Sequence, residues 1–199
     1  MNQKLHIATA RPIGEKCLKY ALSNMPEGFE LCDDMRESDI VICVMYDKIL
    51  SKDLLENKRC YNFHAGLLPN YRGVGIFTWV ILNGEKETGI TLHEMDEGLD
   101  TGPVIAFSRF GVDENSTSYS LYNQGMDSLF DLFKEYFHKL LTRDYTTQSF
   151  NKKPNSLYTR EMLNKVRDLS KLARATYFPG KEGLYFWNTK GAKTIISYD

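Results

Sequence analysis

Hydrophobic and polar positions along the first half of the chain fall into blocks typical of alternating strands and helices. Apolar runs at 4–10, 29–34, 39–46 and 59–64 predict β-strands, and the run at 39–46 is apolar almost throughout, as in a strand buried on both faces. Pro12 begins a predicted helix that ends near Pro26, and Ser51 caps a short one over 51–57. Because the elements alternate, we expect an α/β fold with a mostly parallel sheet flanked by helices.

The second half of the chain continues this order and then changes character. A helix over 75–84 is followed by strands at 88–96 and 103–112, which are separated by a polar loop at 96–102. Apolar residues at helical spacing predict a long helix over 116–141 that covers the sheet. Beyond residue 142 a helix around 160–175 and a β-hairpin with its turn near 188–191 are expected. We therefore divide the chain into a main domain, 1–142, and a C-terminal extension, 143–199.

Composition narrows the class of protein. The chain has 199 residues, 25 basic and 26 acidic, and the net charge of -1 does not favour nucleic acid or an anionic membrane as a partner. Apolar runs fall short of the roughly 20 residues that span a bilayer, and the N-terminal apolar patch is too short for a secretory signal. The four cysteines lack metal-ligand spacing and are expected to be reduced, and no metal site is predicted. A cytoplasmic location follows as an expectation.

Candidate chemistry lies in the stretch YNFHAGLLPNYRG, residues 61–73. Asn62 and His64 are two residues apart on a predicted strand, so their side chains share one face. The loop at 96–102 offers Asp100 between two glycines. An amide and an imidazole can donate to a developing oxyanion, and a carboxylate can orient the imidazole, which together suit acyl transfer. Each residue alone has a structural alternative: His64 as a satisfied strand histidine, and Asp100 as a residue that closes its own loop.

The order and spacing of these residues point to a family. N-x-H-x-G-L-L-P-x-Y-R-G at 62–73, followed by T-L-H-x-M-D-E-G-L-D-T-G at 91–102, closely resembles the formyltransferases that use 10-formyltetrahydrofolate. The resemblance runs from about 39 to 141 and implies a Rossmann-like formyltransferase fold. It also implies that Asn62, His64 and Asp100 form the catalytic set, and it places His93 on the family's second, supporting histidine.

The same resemblance implies the binding residues. The folate pocket would have one wall of Asp47, Lys48, Ile49 and Leu50, and a far wall of Met95, Asp96, Glu97 and Gly98. Residues assigned to the substrate are Arg11, Arg72, Gly73, His93, Arg174 and Tyr177. In the tail, a guanidinium suits a diphosphate and an aromatic face can stack on a base, although packing of the tail is the alternative for these residues.

Two departures from the family pattern concern the N-terminal half. Ala65 stands where the family usually has proline directly after the catalytic histidine. Only 61 residues precede Asn62, so the N-terminal part is shortened and one or more crossover units are expected to be missing. The loop that carries Arg11 is therefore expected to sit differently from its position in the family.

Branches of this family differ in the amine that accepts the formyl group. Methionyl-tRNA formyltransferases add a basic C-terminal domain, whereas the ending RATYFPGKEGLYFW resembles the sugar N-formyltransferases, which act on nucleotide-linked amino sugars for surface polysaccharides. We therefore predict formyl transfer to such a sugar, with small-molecule partners. The alternatives are a glycinamide ribonucleotide or other small-amine formyltransferase, and a catalytically silent folate-binding member. The sugar, the base and the amine position stay open, as does the oligomeric state, with a homodimer through the hairpin edge as one arrangement.

Overall fold

Strands and helices alternate along the chain, as the hydrophobic pattern predicts. The computed structural model describes residues 2–150, 157–159, 162–163, 166 and 168–180, and the backbone of 184–187 and 193–196; within 168–180, the side chains of 169 and 170 are not described. The elements are β1 (Gln3–Thr9), α1 (Pro12–Ser23), β2 (Phe29–Leu31), a 3-10 turn (Met35–Glu37), β3 (Ile40–Val44), α2 (Lys52–Asn57), β4 (Arg59–Ala65), β5 (Arg72–Gly73), α3 (Ile76–Asn83), β6 (Glu87–Glu94), β7 (Val104–Gly111), α4 (Ser118–Thr142), β8 (Leu157–Tyr158), α5 (Leu169–Thr176), β9 (Leu184–Trp187) and β10 (Lys193–Ile196).

Six strands form the main sheet, in the order β2-β1-β3-β4-β6-β7. The pairings β1–β2, β1–β3 and β3–β4 are parallel, whereas β4–β6 and β6–β7 are antiparallel. This confirms an α/β fold in which most of the sheet is parallel. In the extension, β9 and β10 form the expected antiparallel hairpin. Its predicted turn at 188–191 lies outside the described residues.

The two faces of the sheet are covered unequally. On one face, α1, α3 and α4 enclose a large aromatic core in which Phe63 packs on Phe133, with ring centroids 5.6 Å apart. On the other face, a smaller cluster around Cys43 and Cys60 lies under α2. Because strand residues alternate between faces, Asn62 and His64 share the second face with Cys60. The candidate site therefore lies on the thinly covered side.

The connection between β2 and β3 is short. Instead of a crossover helix, residues 32–39 contain one 3-10 turn and contact the first half of β1, at residues 4–6. His6 Nδ1 donates to Cys32 O at 3.0 Å, and the Lys4 backbone N–H donates to Asp39 Oδ2 at 2.7 Å. This loop, and not a helix, therefore supplies hydrogen-bond partners for the His6 side chain and the Lys4 backbone N–H.

Element ends differ from the sequence-based prediction in several places. The predicted strand 39–46 ends at Val44, because Met45 adopts a φ of 50° and leaves the extended conformation. The predicted strand 29–34 is reduced to Phe29–Leu31, and the helix expected from about residue 160 begins at Leu169, where Asp168 caps it by accepting the Lys171 N–H. The four cysteines are free thiols, as expected. Within the described part of the chain, no helix has both the length and the apolarity needed to cross a membrane.

Candidate active site

Asn62 and His93 meet through strand pairing. The register of β4 against β6 places Asn62 directly opposite His93, and His64 opposite Thr91. Directly paired residues project to the same face, so these four side chains form one polar strip. The sequence suggested that the residues converge where strands end. Because β6 is antiparallel, the loop after it instead starts beside the first residues of β4 and returns across the sheet face to bring Asp100 to His64.

His64 is buried and has an oxygen atom near each of its ring nitrogens. Its Nε2 lies 2.6 Å from Tyr71 O, and its Nδ1 lies 3.5 Å from Asp100 Oδ1. Since a carbonyl oxygen only accepts, Nε2 carries the hydrogen in this bond. In the neutral ring the lone pair is then on Nδ1, on the Asp100 side. A proton taken up at Nδ1 would be stabilised by the carboxylate, so the geometry suits a general base.

His93 is a neutral support for Asn62. Its Nδ1 donates to Glu94 O at 2.6 Å, so Nε2 is free to accept from Asn62 Nδ2 at 3.2 Å. Burial, and next the neighbouring charge of His64, lower the pKa of His93 to about 4. Asn62 Nδ2 carries a second N–H, which has no partner among the described residues. That N–H is a candidate oxyanion donor.

Asp100 is fixed by its backbone and by the loop opposite. It adopts a left-handed φ of 52°, and its Oδ2 accepts the backbone N–H of Gly73 at 2.9 Å. Next to it, Arg72 Nε donates to Leu99 O at 2.7 Å. These two bonds tie the loop at 96–102 to β5, so the carboxylate reaches His64 with little exposure, 9% of the side chain.

The segment 66–73 is held close to His64. At Gly66, with a φ of 151°, an added Cβ would lie 2.9 Å from Tyr71 O and 3.0 Å from His64 Nε2, so a side chain there would disturb this bond. Thr91 is fully buried, and its Oγ1 donates to Gly66 O at 2.5 Å and accepts the Leu68 N–H at 3.1 Å. Sequence reasoning gave Thr91 no role, although its alternation with His93 along an apolar strand was a usable signal.

The two predicted folate walls lie next to each other. Leu50 is buried in the smaller cluster, and both Tyr46 and Met95 pack against that same cluster. Ile49 is 89% exposed, an unusual position for an isoleucine, and Asp47 and Lys48 are exposed beside it. Asp96 organises the opposite loop by accepting from Gly98 N at 3.0 Å and Thr101 Oγ1 at 2.5 Å. An ion pair between Lys52, at the start of α2 just after the first wall, and Glu97 of the far wall is 3.0 Å long. Their folate-binding role stays a prediction.

The predicted substrate residues separate into two groups. Arg72, Gly73 and His93 contact the candidate catalytic residues or the loop that carries Asp100. Arg11 is exposed at the end of β1, and its backbone N–H bonds to Thr9 Oγ1 at 3.2 Å. On α5, Arg174 donates to the backbone carbonyls of Asp113 and Glu114, and the half-buried Tyr177 follows that helix. In the described residues the contacts of Arg174 do not reach the catalytic set, and the substrate roles of Arg11, Arg174 and Tyr177 stay predictions.

Comparison with known proteins gives a family match. A family model described as formyl transferase matches residues 21–133, more than half of the chain. A methionyl-tRNA formyltransferase of Clostridioides difficile is 42% identical over 99 residues, which cover 49% of this chain and 32% of that protein. This chain thus spans about a third of the length of the curated relatives it matches.

Solved structures match nearly the whole fold. A 4-N formyltransferase from Francisella tularensis superposes with a TM-score of 0.86 at 18% identity, covering 99% of this chain and 97% of that one. An N-formyltransferase from Helicobacter canadensis, in complex with folinic acid and dTDP-3-aminofucose, has a TM-score of 0.76 at 24% identity, covering 88% of this chain and 81% of that one. At these identities the likeness establishes the fold, and the expected Rossmann-like formyltransferase fold is confirmed.

Proposed function

This chain belongs to the formyl transferase family, and we propose that it transfers a formyl group from 10-formyltetrahydrofolate to the primary amine of a nucleotide-linked amino sugar. One observation carries the proposal: a buried imidazole with its Nδ1 beside a carboxylate, on the same strand face as an amide that has one N–H without a partner among the described residues. This arrangement supplies a base and an oxyanion donor, which acyl transfer to an amine requires.

The residues divide the chemistry between them. Bound 10-formyltetrahydrofolate supplies the formyl group. Asn62 donates to the oxygen of that group as negative charge develops on it, and loss of one such donor typically costs about 2.7–4 kcal/mol of transition-state stabilisation. His64 accepts the amine proton at Nδ1, and Asp100 stabilises the resulting imidazolium. The neutral His93 keeps the Asn62 amide turned toward the reacting oxygen.

The donor assignment is supported by the two loops beside the site. The loops at 47–50 and 95–98 pack on the same small cluster, which contains Cys60 on the strand face that carries Asn62. An ion pair between Lys52, just after the first loop, and Glu97 adds a further contact. Backbone groups of such loops suit the hydrogen-bonding edge of a pterin, and the exposed Ile49 offers an apolar contact for a ring. The Helicobacter canadensis enzyme with this fold binds folinic acid.

The acceptor assignment is supported by the TM-scores of the structural matches. A sugar N-formyltransferase from Shewanella covers 98% of this chain and 97% of its own, with a TM-score of 0.84. A methionyl-tRNA formyltransferase from Clostridium thermocellum is covered over its whole chain as well, but with a lower TM-score of 0.69. Methionyl-tRNA is the second candidate acceptor, because the 42% identity over 99 residues is to such an enzyme.

A panel assay separates the candidates. The chain is incubated with 10-formyltetrahydrofolate and, in turn, dTDP- and UDP-linked amino sugars, glycinamide ribonucleotide and methionyl-tRNA, and tetrahydrofolate release is measured. We expect release only with an amino sugar nucleotide, and release at least about 100-fold slower from His64→Ala in the same reaction. Release with methionyl-tRNA alone would transfer the assignment to the second candidate. Folate binding without release for any amine would indicate a silent binding protein.

A further inference from the structure

The C-terminal extension contributes a strand to the candidate site. β8 pairs in parallel with β5, so that Leu157 lies beside Arg72 and Tyr158 beside Gly73. The Val74 N–H donates to Tyr158 O at 3.0 Å. β5 is the end of the segment 71–73 that hydrogen-bonds both His64 and Asp100. The extension is therefore connected to the catalytic groups through a single stretch of backbone.

The ring of Tyr158 holds the other end of this segment. It stacks on Tyr71, with centroids 5.3 Å apart and planes 12° apart, and on Trp79, with centroids 5.0 Å apart. Asn83 Nδ2 donates to the hydroxyls of Tyr71 at 3.0 Å and Tyr158 at 2.8 Å. Tyr71 in turn donates to Glu85 Oε1 at 2.6 Å. The Tyr71 side chain is thus fixed by stacking and by hydrogen bonds.

The two catalytic contacts oppose each other at His64. Tyr71 O accepts from His64 Nε2 at 2.6 Å and so keeps the hydrogen on that nitrogen. Asp100 lies 3.5 Å from Nδ1 and favours a hydrogen on that nitrogen instead, since an N–H that donates to a carboxylate forms a strong hydrogen bond. If Tyr71 O withdrew, the tautomer with the hydrogen on Nδ1 would be favoured. That tautomer has no lone pair at Nδ1 to accept a proton from an amine.

We propose that Tyr158 is a positioning residue, which acts through Tyr71 and Gly73 to hold His64 in the tautomer that can serve as a base. Clamped between Tyr71 and Trp79, its ring keeps Tyr71 O within reach of Nε2. Its backbone carbonyl fixes Val74, next to the Gly73 N–H that orients Asp100. Tyr158 itself touches no reacting atom. For its effect on rate the inference rests on the proposed function, but the state of the His64 ring is independent of any substrate.

The test reads the tautomer directly. The protein is labelled with 15N-histidine, and long-range 15N–1H spectra report which ring nitrogen carries the hydrogen for each of the four histidines. His64 is assigned by its loss in His64→Ala. In the unaltered chain we expect the hydrogen on Nε2. In Tyr158→Leu we expect a shift toward Nδ1 and, with the acceptor found in the panel, a fall in kcat of about 10- to 100-fold. The Kd for folate should not change.

Two further variants distinguish positioning from docking of the extension. Tyr158→Phe keeps the stacking and should retain the Nε2 tautomer and most of kcat. Phe178→Leu is the matched control, because Phe178 docks the same extension on α4 through ring contacts of 5.2 Å with Tyr119 and 5.4 Å with Tyr122. It should change the melting temperature without altering the His64 tautomer.

The outcomes are separable from those of the functional proposal. The inference is overturned if Tyr158→Leu folds and its His64 tautomer is the same as in the unaltered chain. It is also overturned if Phe178→Leu shifts the His64 tautomer as much as Tyr158→Leu does. A tautomer shift supports it even if none of the panel amines is formylated, a result that would count only against the proposed function. If Tyr158→Leu does not fold, Asn83→Ala decides: a partial shift toward Nδ1 supports the inference, and an unchanged spectrum overturns it.

Discussion

Replacement of Gly73 by alanine adds one methyl group at the junction of the two strands. Gly73 has a φ of 98°, and an added Cβ would lie 2.3 Å from Tyr158 O and 3.1 Å from Tyr158 N. Both atoms belong to backbone, so no side-chain rotation relieves the overlap, and β8 must move away by several tenths of an ångström. We expect Gly73→Ala to displace β8 and to weaken the Gly73–Asp100 hydrogen bond.

The magnitude follows from the contacts that are lost. A positive φ is unfavourable for alanine by about 1–2 kcal/mol. Displacement of β8 forfeits the bond from Val74 to Tyr158, about 0.5–1.5 kcal/mol, and weakens two ring stacks that contribute about 0.5–1.5 kcal/mol each. If about half of each ring stack is lost, these changes together predict a loss of about 2–5 kcal/mol in the free energy of unfolding.

Gly75→Ala is the matched control for backbone strain. Gly75 has a φ of 70°, and no atom lies within 4 Å of an added Cβ there. Gly75→Ala should lose only the free energy that a positive φ costs an alanine, about 1–2 kcal/mol. For a chain of this size, that loss lowers the melting temperature by roughly 2–8 °C. Its kcat should stay near that of the unaltered protein, since the site is not touched.

Urea unfolding and steady-state kinetics of the two variants check the reasoning. We expect Gly73→Ala to be less stable than Gly75→Ala by about 1–3 kcal/mol, from the bond and ring terms, and to lose at least about 10-fold in kcat because Asp100 is released. Equal stability and equal kcat in the two variants would refute the claim that contact with β8 holds this segment.

Other perturbations test the remaining parts of the site. Three substitutions, Asn62→Ala, His64→Ala and Asp100→Asn, should each lower kcat by about 10²–10⁴-fold, and asparagine is used at 100 because it tolerates the left-handed backbone. Since the three residues act as a unit, the kcat of a double variant should fall by much less than the product of the two single effects, as measured by single-turnover kinetics. Because burial lowers the pKa of His93 from 6.5 to about 4, the unfolded chain binds the proton first, and stability should fall as pH drops from about 6.5 to about 4. In urea titrations, the difference in stability between the unaltered chain and His93→Gln should therefore change with pH below about 6.5 and stay constant above about pH 7. Saturating folate should raise the melting temperature by mass action, which thermal denaturation at several concentrations measures. Arg174→Ala should lower the melting temperature by roughly 2–4 °C, through its lost bonds to the loop before α4, and the KM for the acceptor in the same preparation tests its predicted phosphate contact.

Buried strands and helix ends were predictable from sequence because their signals are local. The run at 39–46 is apolar almost throughout, Ser51 accepts the Leu54 N–H as a cap, and Gly84 ends α3 with a φ of 71°. The shared face of Asn62 and His64 follows from strand periodicity alone. A local pattern determined each of these features, so a single sequence was sufficient.

Features that depend on partners distant in sequence were not predicted. The pattern of β6 is the same whichever way the strand runs, so nothing in it showed that His93 would be paired with Asn62. β5 and β8 have two residues each, too few for any periodicity, and they form only because one pairs with the other. The bond from His64 to Tyr71 uses a backbone carbonyl, which every residue has, and therefore leaves no sequence signal.

The short link between β2 and β3 has a consequence for the solubility of the fold. In the described part of the chain, β2 forms one of the two edges of the main sheet, and an edge strand offers unpaired backbone groups to other chains. β2 is only three residues long, Phe29–Leu31, and carries Glu30 at its centre. A strand so short and charged is a poor template for edge-to-edge aggregation. Lengthening it with β-branched residues should therefore promote oligomers and precipitation before it alters the distant site.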